Sequence, residues 1–399
     1  MRPLAGITVV TLEHAIAAPF ATRQLADLGA RVIKVERPGA GDFARGYDER
    51  VRGLASHFVW TNRSKESLTL DVKHPEALAI LKRLIREQAD VVVQNLAPGA
   101  AARLGLSYAA LAAEKPGIIV CDISGYGGDG PYRDRKAYDL LIQSESGFLS
   151  VTGTEQEPAK AGLSIADIAA GMYAYSNILA ALLQRRETGR GQHIDVSMLE
   201  SLVEWMGFPL YYAFEGAPPP PRTGASHATI YPYGPFPAGD GKTVMLGLQN
   251  EREWVAFCEK VLLQPELAAQ ERFATNSRRS AARDELRALI VAAFAPLTAL
   301  QVVARLEDAQ IASARVNTMG DVWDHPQLAA RGRWREVGTP AGVQLAAVCQ
   351  SLLTLPFQVL PEKSAVKPLD SVPLWALGFV TTTFHWPTAA PVKLKSQEI

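Results

Sequence analysis

Leu25-Ala-Asp-Leu-Gly-Ala-Arg-Val-Ile-Lys-Val-Glu-Arg-Pro-Gly-Ala-Gly-Asp42 is the stretch on which the fold turns. Residues 18–28 read as a helix closed by Gly29. Arg31 to Glu36 alternate and branch as a strand, and Pro38-Gly39 ends it. Upstream, residues 7–12 (Ile-Thr-Val-Val-Thr-Leu) form a short β-rich run. Downstream, residues 75–88 read as a helix, and 90–94 and 117–123 as strands. Strands separated by helices imply βαβ units and an α/β fold with a parallel, doubly wound sheet.

The chain has 399 residues, of which 48% are hydrophobic and 21% charged, which suits one or two globular domains. Lys+Arg and Asp+Glu each number 41, so the net charge is zero. No global basic field points to nucleic acid, and anions must be met by local clusters. Cys121, Cys258 and Cys349 are far apart and odd in number, with no CxxC pair or Cys/His spacing. Neither a disulfide framework nor a metal site is indicated. The first residues lack the apolar core of a signal peptide, and no uninterrupted apolar run is long enough to span a bilayer. A cytoplasmic protein without a membrane partner is expected.

Residues 165–186 read as a long helix ended by Glu187-Thr-Gly-Arg-Gly191, and Ser164-Ile-Ala-Asp167 has capping-box spacing at its start. A strand at 193–197 leads into a helix to about residue 211. Gly216-Ala-Pro-Pro-Pro-Pro-Arg222 is a stiff extended linker. Beyond it, residues 231–236 and 242–246 read as strands, and 251–262, 280–294 and 298–310 as helices, a smaller α+β domain. Residues 378–386 read as a strand or an irregular extension.

The motifs of P-loops, GxSxG hydrolases, HExxH enzymes and GxGxxG dinucleotide folds are missing from the sequence. Ser124-Gly-Tyr-Gly-Gly-Asp-Gly-Pro131 can be a turn or a phosphate cradle. Arg37, Arg63, Lys73, Arg103 and Lys136 sit at strand ends or in the loops beside them. Ligands of doubly wound sheets bind at those ends, yet each cation alone also reads as solvated surface. Asp167 reads as a helix cap that stays ionised at neutral pH. The small residues after it, Ala166, Ala169, Ala170, Gly171 and Ala174, allow another backbone or a ligand to come close.

Several ordered segments carry a resemblance. They are Pro3-Leu-Ala-Gly-Ile7, the stretch 25–42, Asn62-Arg-Ser64, Leu68-Thr-Leu-Asp-Val-Lys73, residues 90–99 and 125–132, and Tyr138-Asp139. Asp167 with Thr188-Gly-Arg-Gly-Gln192, Pro232-Tyr-Gly-Pro-Phe236 and His325-Pro-Gln-Leu-Ala-Ala-Arg331 complete them. With these, residues 3–345 resemble the class III CoA-transferases, the CaiB/BaiF type. Formyl-CoA transferase and α-methylacyl-CoA racemase are relatives within it.

The resemblance implies a Rossmann-like large domain built from both chain ends, a smaller α+β domain, and two chains interlocked as rings in a homodimer. The corresponding division is 1–205, a linker at 206–225, the small domain at 226–325, and a return linker with the rest of the large domain at 326–399. It implies that Asp167 is the nucleophile and passes through a mixed anhydride and an aspartyl-CoA thioester. Oxyanions would be met by backbone N–H groups near Ala17. Coenzyme A or acyl-CoA is then substrate, with no permanently bound cofactor. Arg37, Arg103 and Lys136 match positions that hold CoA phosphates and adenosine. Leu70, Lys73 and Asn95 line the same groove, and His14 and Ala17 lie beside the thiol.

Departures from the family pattern narrow the activity. Racemases carry a histidine where this chain has Tyr138, and a tyrosine hydroxyl titrates at about 10, so transfer is favoured over the alternative of racemisation. Ile16 replaces a glutamine of the oxalate enzymes, and Gly247-Leu-Gln249 keeps one glycine and the glutamine of their active-site lid. Val372-Pro-Leu-Trp-Ala-Leu-Gly378 departs from the usual terminal pattern. The expected donor is an acyl-CoA such as succinyl-CoA. The expected acceptor is a small dicarboxylate, itaconate- or malate-like, with Arg222 and His227 available for its distal carboxylate.

Overall fold

The computed structural model describes residues 2–338, 344–348 and 380–382. Six parallel strands make the main sheet: β1 (Thr8–Leu12), β2 (Arg31–Glu36), β3 (Lys65–Thr69), β4 (Val91–Gln94), β5 (Ile119–Ser124) and β6 (His193–Ser197). Their spatial order is β3-β2-β1-β4-β5-β6, and Val380–Thr382 adds an antiparallel seventh strand on β3. The sequence foresees five of the six to within two residues at either end; β3, whose run Lys-Glu-Ser-Leu-Thr is mostly polar, was not expected. That order reverses direction between β1 and β4, and a doubly wound sheet opens a crevice at such a point.

Central strands are buried on both faces, which is why they read as nearly continuous apolar runs. One face packs Val10, Leu12, Ile33, Val35, Val92 and Val120 beneath Leu81, Leu84 and Ile85 of the helix Pro75–Gln88. The helix α1 (Ala17–Asp27) and the long helix Ile165–Thr188 pack against each other. The long helix ends at Gly189 in the left-handed region, φ 68°. By length and composition alone it would cross a membrane, although half of its apolar window is buried inside the protein.

Strand register brings charge into the interior. Thr11 lies beside Lys34, and Lys34 beside Ser67. Lys34 and Lys65 are 1% and 3% exposed, and Glu13 and Asp42 are fully buried. The Lys34 ammonium donates to Asp42 at 2.6 Å and to Asn62 at 2.9 Å. Lys65 donates to Glu13 at 2.7 Å and to the Pro19 carbonyl at 2.9 Å. The other Glu13 oxygen accepts from Thr11 and Thr22. Two cations thus face two anions. Burial pulls Lys65 below the usual lysine range, and Glu13 pulls it back.

The chain divides into two compact units. The first takes Met1–Gly147, Ala161–Gly207 and the described residues from Ala330 onward. The second takes Phe148–Lys160 and Phe208–Ala329. It holds an antiparallel sheet of β7 (Tyr233–Pro237), β8 (Thr243–Gly247) and β9 (Ala312–Arg315). Trp254, Phe257, Phe273, Leu286, Ile290 and Phe294 form its core. β9 was not expected, because its four residues Ala-Ser-Ala-Arg are short, polar and largely exposed. The helix expected over 251–262 is α-helical only over Glu251–Ala256 and continues as a π-helix over Phe257–Leu262. Cys349 and the departure at 372–378 lie outside the described residues.

Removing one buried anion strands a buried cation. Glu13→Gln is expected to lower stability by about 3 kcal/mol. Chemical denaturation followed by circular dichroism checks it, and an unchanged midpoint refutes it.

Candidate active site

Three loops at the carboxyl ends of strands meet at the crevice. After β1 come His14, Ala15, Ile16 and Ala17. Ala15 holds φ at 59°, a conformation costly for a residue with a Cβ. Its N–H donates to Asp42 at 3.2 Å, so the Lys34–Asp42 pair fixes the strained residue from below. Asn95, after β4, clamps His14 from the side. Its carbonyl oxygen accepts from the His14 N–H and its amide donates to the His14 carbonyl, both at 2.9 Å. Asn95 therefore acts on the loop, where the sequence assigned it to the ligand groove.

Ala17 opens α1, and its N–H lies close enough to the Asp167 carboxylate to favour the ionised form. The approach depends on Gly171, one turn beyond Asp167. A Cβ there would stand 2.7 Å from the Ala17 carbonyl oxygen and 2.9 Å from the Phe20 ring. The small-residue stripe after Asp167 thus admits a backbone, that of α1.

The expected capping box at Ser164 does not form, since the Ser164 side chain caps nothing. Asp139 takes its place from a different segment. One of its oxygens accepts from the N–H groups of Ala166 (2.8 Å) and Asp167 (3.3 Å). The Asp167 side chain is left free of capping. It keeps part of its surface open while densely surrounded by protein. Burial, helped by the Asp139 charge, pushes its carboxyl up to about 7, while the Ala17 N–H works the other way. This corrects the expectation of a carboxylate fully ionised at neutral pH: desolvation outweighs the helix N-terminus.

Tyr138 precedes Asp139 and is 67% exposed. Tyr47, which the sequence did not suggest, joins it: the charges of Asp42, Asp167 and Tyr138 add to burial in raising the Tyr47 hydroxyl. An aromatic row runs His14–Phe43–Tyr47, with ring centroids 5.5 and 5.9 Å apart. Burial holds the His14 imidazole below its usual range, and its Nδ1 has no hydrogen-bond partner among the described residues. Ile16 is buried, so its side chain packs beneath the loop.

The cations divide into two kinds. Arg37, Lys73 and Lys136 are exposed in loops after β2, β3 and β5, and Arg103 is exposed at the end of the short helix Ala100–Arg103 after β4. Arg37 uses Nε on the Gly41 carbonyl. Arg63 is instead buried and bound through Nε and a terminal nitrogen to both oxygens of Asp27, at 3.0 and 2.6 Å, which removes it from any ligand groove. Leu70 is buried in the core and donates its N–H to Glu36, leaving only its carbonyl to offer. The Gly125–Gly128 loop is a turn: Gly127 and Gly128 donate to Ser124 and Asp195.

In the second unit, Arg222 donates to the carbonyls of Thr154 and Glu155 at 2.8 and 2.9 Å. His227 accepts through Nδ1 from the N–H groups of Thr229 and Ile230, and stacks on Tyr233 at 5.3 Å. Both expected carboxylate partners are thus engaged in holding their own segment. Gly247 ends β8 with its α-carbon against the Tyr233 ring. Gln249 is exposed, and its N–H is tied to Glu253 at 2.7 Å.

A desolvated carboxylate at the start of a helix, with an N–H beside it and no cation against it among the described residues, is a nucleophile's setting. The profile of CoA-transferase family III matches residues 4–366. The chain belongs to this family. Its sequence is 36% identical to succinyl-CoA:glutarate CoA-transferase of Mus musculus over 342 residues, covering 85% of this chain and 78% of the relative. It is 37% identical to succinate–glutarate CoA-transferase of Agrobacterium fabrum, covering 83% and 84%. A succinyl-CoA–D-citramalate CoA-transferase of Chloroflexus aurantiacus is 33% identical, covering 83% and 82%. Among solved structures, a CaiB/BaiF family protein from Brucella suis superposes with a TM-score of 0.76 at 36% identity, covering 86% and 90%.

The close approach at Gly171 is testable in this family III enzyme. Gly171→Val is expected to push Ala17 away and lower kcat roughly a hundredfold, because reacting groups displaced by an ångström lose about that much. Turnover beside a circular dichroism spectrum checks it; wild-type turnover in a folded variant refutes the role of the contact.

Proposed function

We propose that this enzyme transfers CoA from a succinyl-CoA-like donor to a small dicarboxylic acid, with Asp167 as the covalent carrier. The observation that carries the reading is the free, desolvated Asp167 carboxylate against the Ala17 N–H. The relatives' names, which pair succinyl-CoA with glutarate or D-citramalate, support the substrate class.

An ionised oxygen of Asp167 attacks the donor thioester carbon. The C–S bond breaks, CoA leaves as thiolate, and a mixed anhydride forms. The thiolate then attacks the Asp167 acyl carbon and expels the donor acid as carboxylate. Asp167 now carries CoA as a thioester. The acceptor carboxylate attacks that carbon, the thiolate leaves again, and its attack on the acceptor side of the new anhydride frees Asp167. Each exchange trades one activated acyl for another, so no hydrolysis step is needed. When the Asp167 carbonyl becomes tetrahedral, its oxyanion faces the Ala17 N–H, a donor already fixed in place. The neutral His14 imidazole adds no charge beside the thiolate. Tyr138, in place of a histidine, supports transfer over α-proton exchange.

Arg37, Lys73, Arg103 and Lys136 give a neutral chain a local positive edge at the crevice. In this reading they hold the phosphates of CoA.

Two measurements test the reading. Incubation with succinyl-CoA, then mass spectrometry, is expected to show a CoA or acyl adduct on Asp167 that hydroxylamine removes. Asp167→Ala should abolish both adduct and transfer to glutarate or malate; an adduct elsewhere, or activity with monocarboxylates alone, overturns the assignment. Arg37→Ala and Arg103→Ala are expected to raise KM for the acyl-CoA about tenfold each with kcat nearly kept, the pattern of lost ground-state binding.

A further inference from the structure

The nucleophile's helix is capped from outside by a charged residue, and neutral residues would cap it as well. Asp139 opens the helix Asp139–Glu145. One of its oxygens closes the first turn of Ile165–Thr188 through Ala166 and Asp167, and its other oxygen is held by the Gln143 amide at 2.6 Å. Gln143 is fully buried, and its carbonyl oxygen accepts from Ala161, at the start of the segment that leads into the long helix. The Asp139 carboxylate therefore has no freedom to swing away from Asp167.

We propose that Asp139 is a positioning residue for the reacting carboxylate, acting through the turn it caps and through the negative charge it holds beside Asp167. The inference rests on the reading of Asp167 as the nucleophile. Two carboxylates on one helix turn repel each other, and such a pair persists where function requires it. The other titratable group coupled to Asp167 is Tyr47, whose hydroxyl burial and the neighbouring charges raise further above its usual value, which keeps it neutral. Among the described residues, no cation contributes to the Asp167 shift. A more basic carboxylate is a stronger nucleophile toward a thioester, but it must lose its proton first. The arrangement thus exchanges activity at low pH for reactivity above neutrality. Gln143 extends the device by anchoring the charge.

The sign follows directly. Protonated Asp167 cannot attack, so kcat/KM rises with pH through the Asp167 ionisation, expected near 7 in the wild-type enzyme. Asp139→Asn retains a capping oxygen and removes the charge. Its acid limb is expected to move down by on the order of one pH unit, with a lowered high-pH plateau because the less basic carboxylate is the weaker nucleophile. Asp139→Ser, a neutral capper of different shape, serves as a second variant and should move the limb the same way. Asp139→Glu keeps the charge and should leave the limb near its wild-type position. A limb that stays put in both neutral variants, or that moves equally in Asp139→Glu, overturns the proposal. Asp167→Asn separates this from the parent reading. If that variant still transfers CoA, the nucleophile assignment fails; if it is inactive while the neutral variants keep the wild-type limb, only the role of Asp139 fails.

Discussion

Two lysines inside the sheet constrain everything around them. Lys34 and Lys65 enter the interior because the parallel register of β1, β2 and β3 leaves them no other place. Charges that deep must be neutralised or they unfold the protein. The neutralising groups are Glu13, which follows β1, and Asp42, which follows β2. Glu13 also takes the Thr22 hydroxyl of α1, and Asp42 takes the N–H of Ala15. The network that satisfies the lysines therefore fixes both ends of the loop that presents Ala17. Electrostatic satisfaction of the core and geometry of the site are here the same set of bonds.

From that loop outward, the Asp167 carboxylate is placed by contacts that share no sequence neighbourhood. Gly171 lets α1 come close enough for the Ala17 N–H to reach Asp167. Asp139 closes the turn that Ser164 leaves open. Asn95 holds His14 from the neighbouring strand across the switch point. Rigid elements hold Asp167, while Arg37, Lys73 and Lys136 sit on the loops after the strands and Arg103 on a single helical turn.

Much of this was legible in the sequence, and the boundary of legibility has a physical cause. Five of the six parallel strands and the helix Pro75–Gln88 were readable because periodicity and glycine or proline punctuation are local, whereas β3, Lys-Glu-Ser-Leu-Thr, carries too little apolar pattern to show. Ordered motifs drew attention to Asp167, but its environment was not legible. Its spacing from Ser164 suggested a local cap, while the cap that forms comes from Asp139, 28 residues earlier. Arg63 looked like a groove cation because its partner Asp27 is 36 residues away. Arg222 and His227 looked available because backbone carbonyls and N–H groups, which every residue carries, leave no mark in a sequence. β9 escaped because its residues are small, polar and mostly exposed.

The same distinction explains where selectivity can arise. Ile16, which the sequence singled out as a departure, is buried beneath the loop. Any influence it has on the surface above passes through the backbone of Ala15 and Ala17. That backbone is already strained at Ala15 and pinned by Asp42. A residue there shifts the Ala17 N–H relative to the Asp167 carboxylate, and rates of group transfer are far more sensitive to such a displacement than binding is. Tyr47 and Tyr138 keep exposed side chains, and the Asp167 charge reaches the Tyr47 hydroxyl.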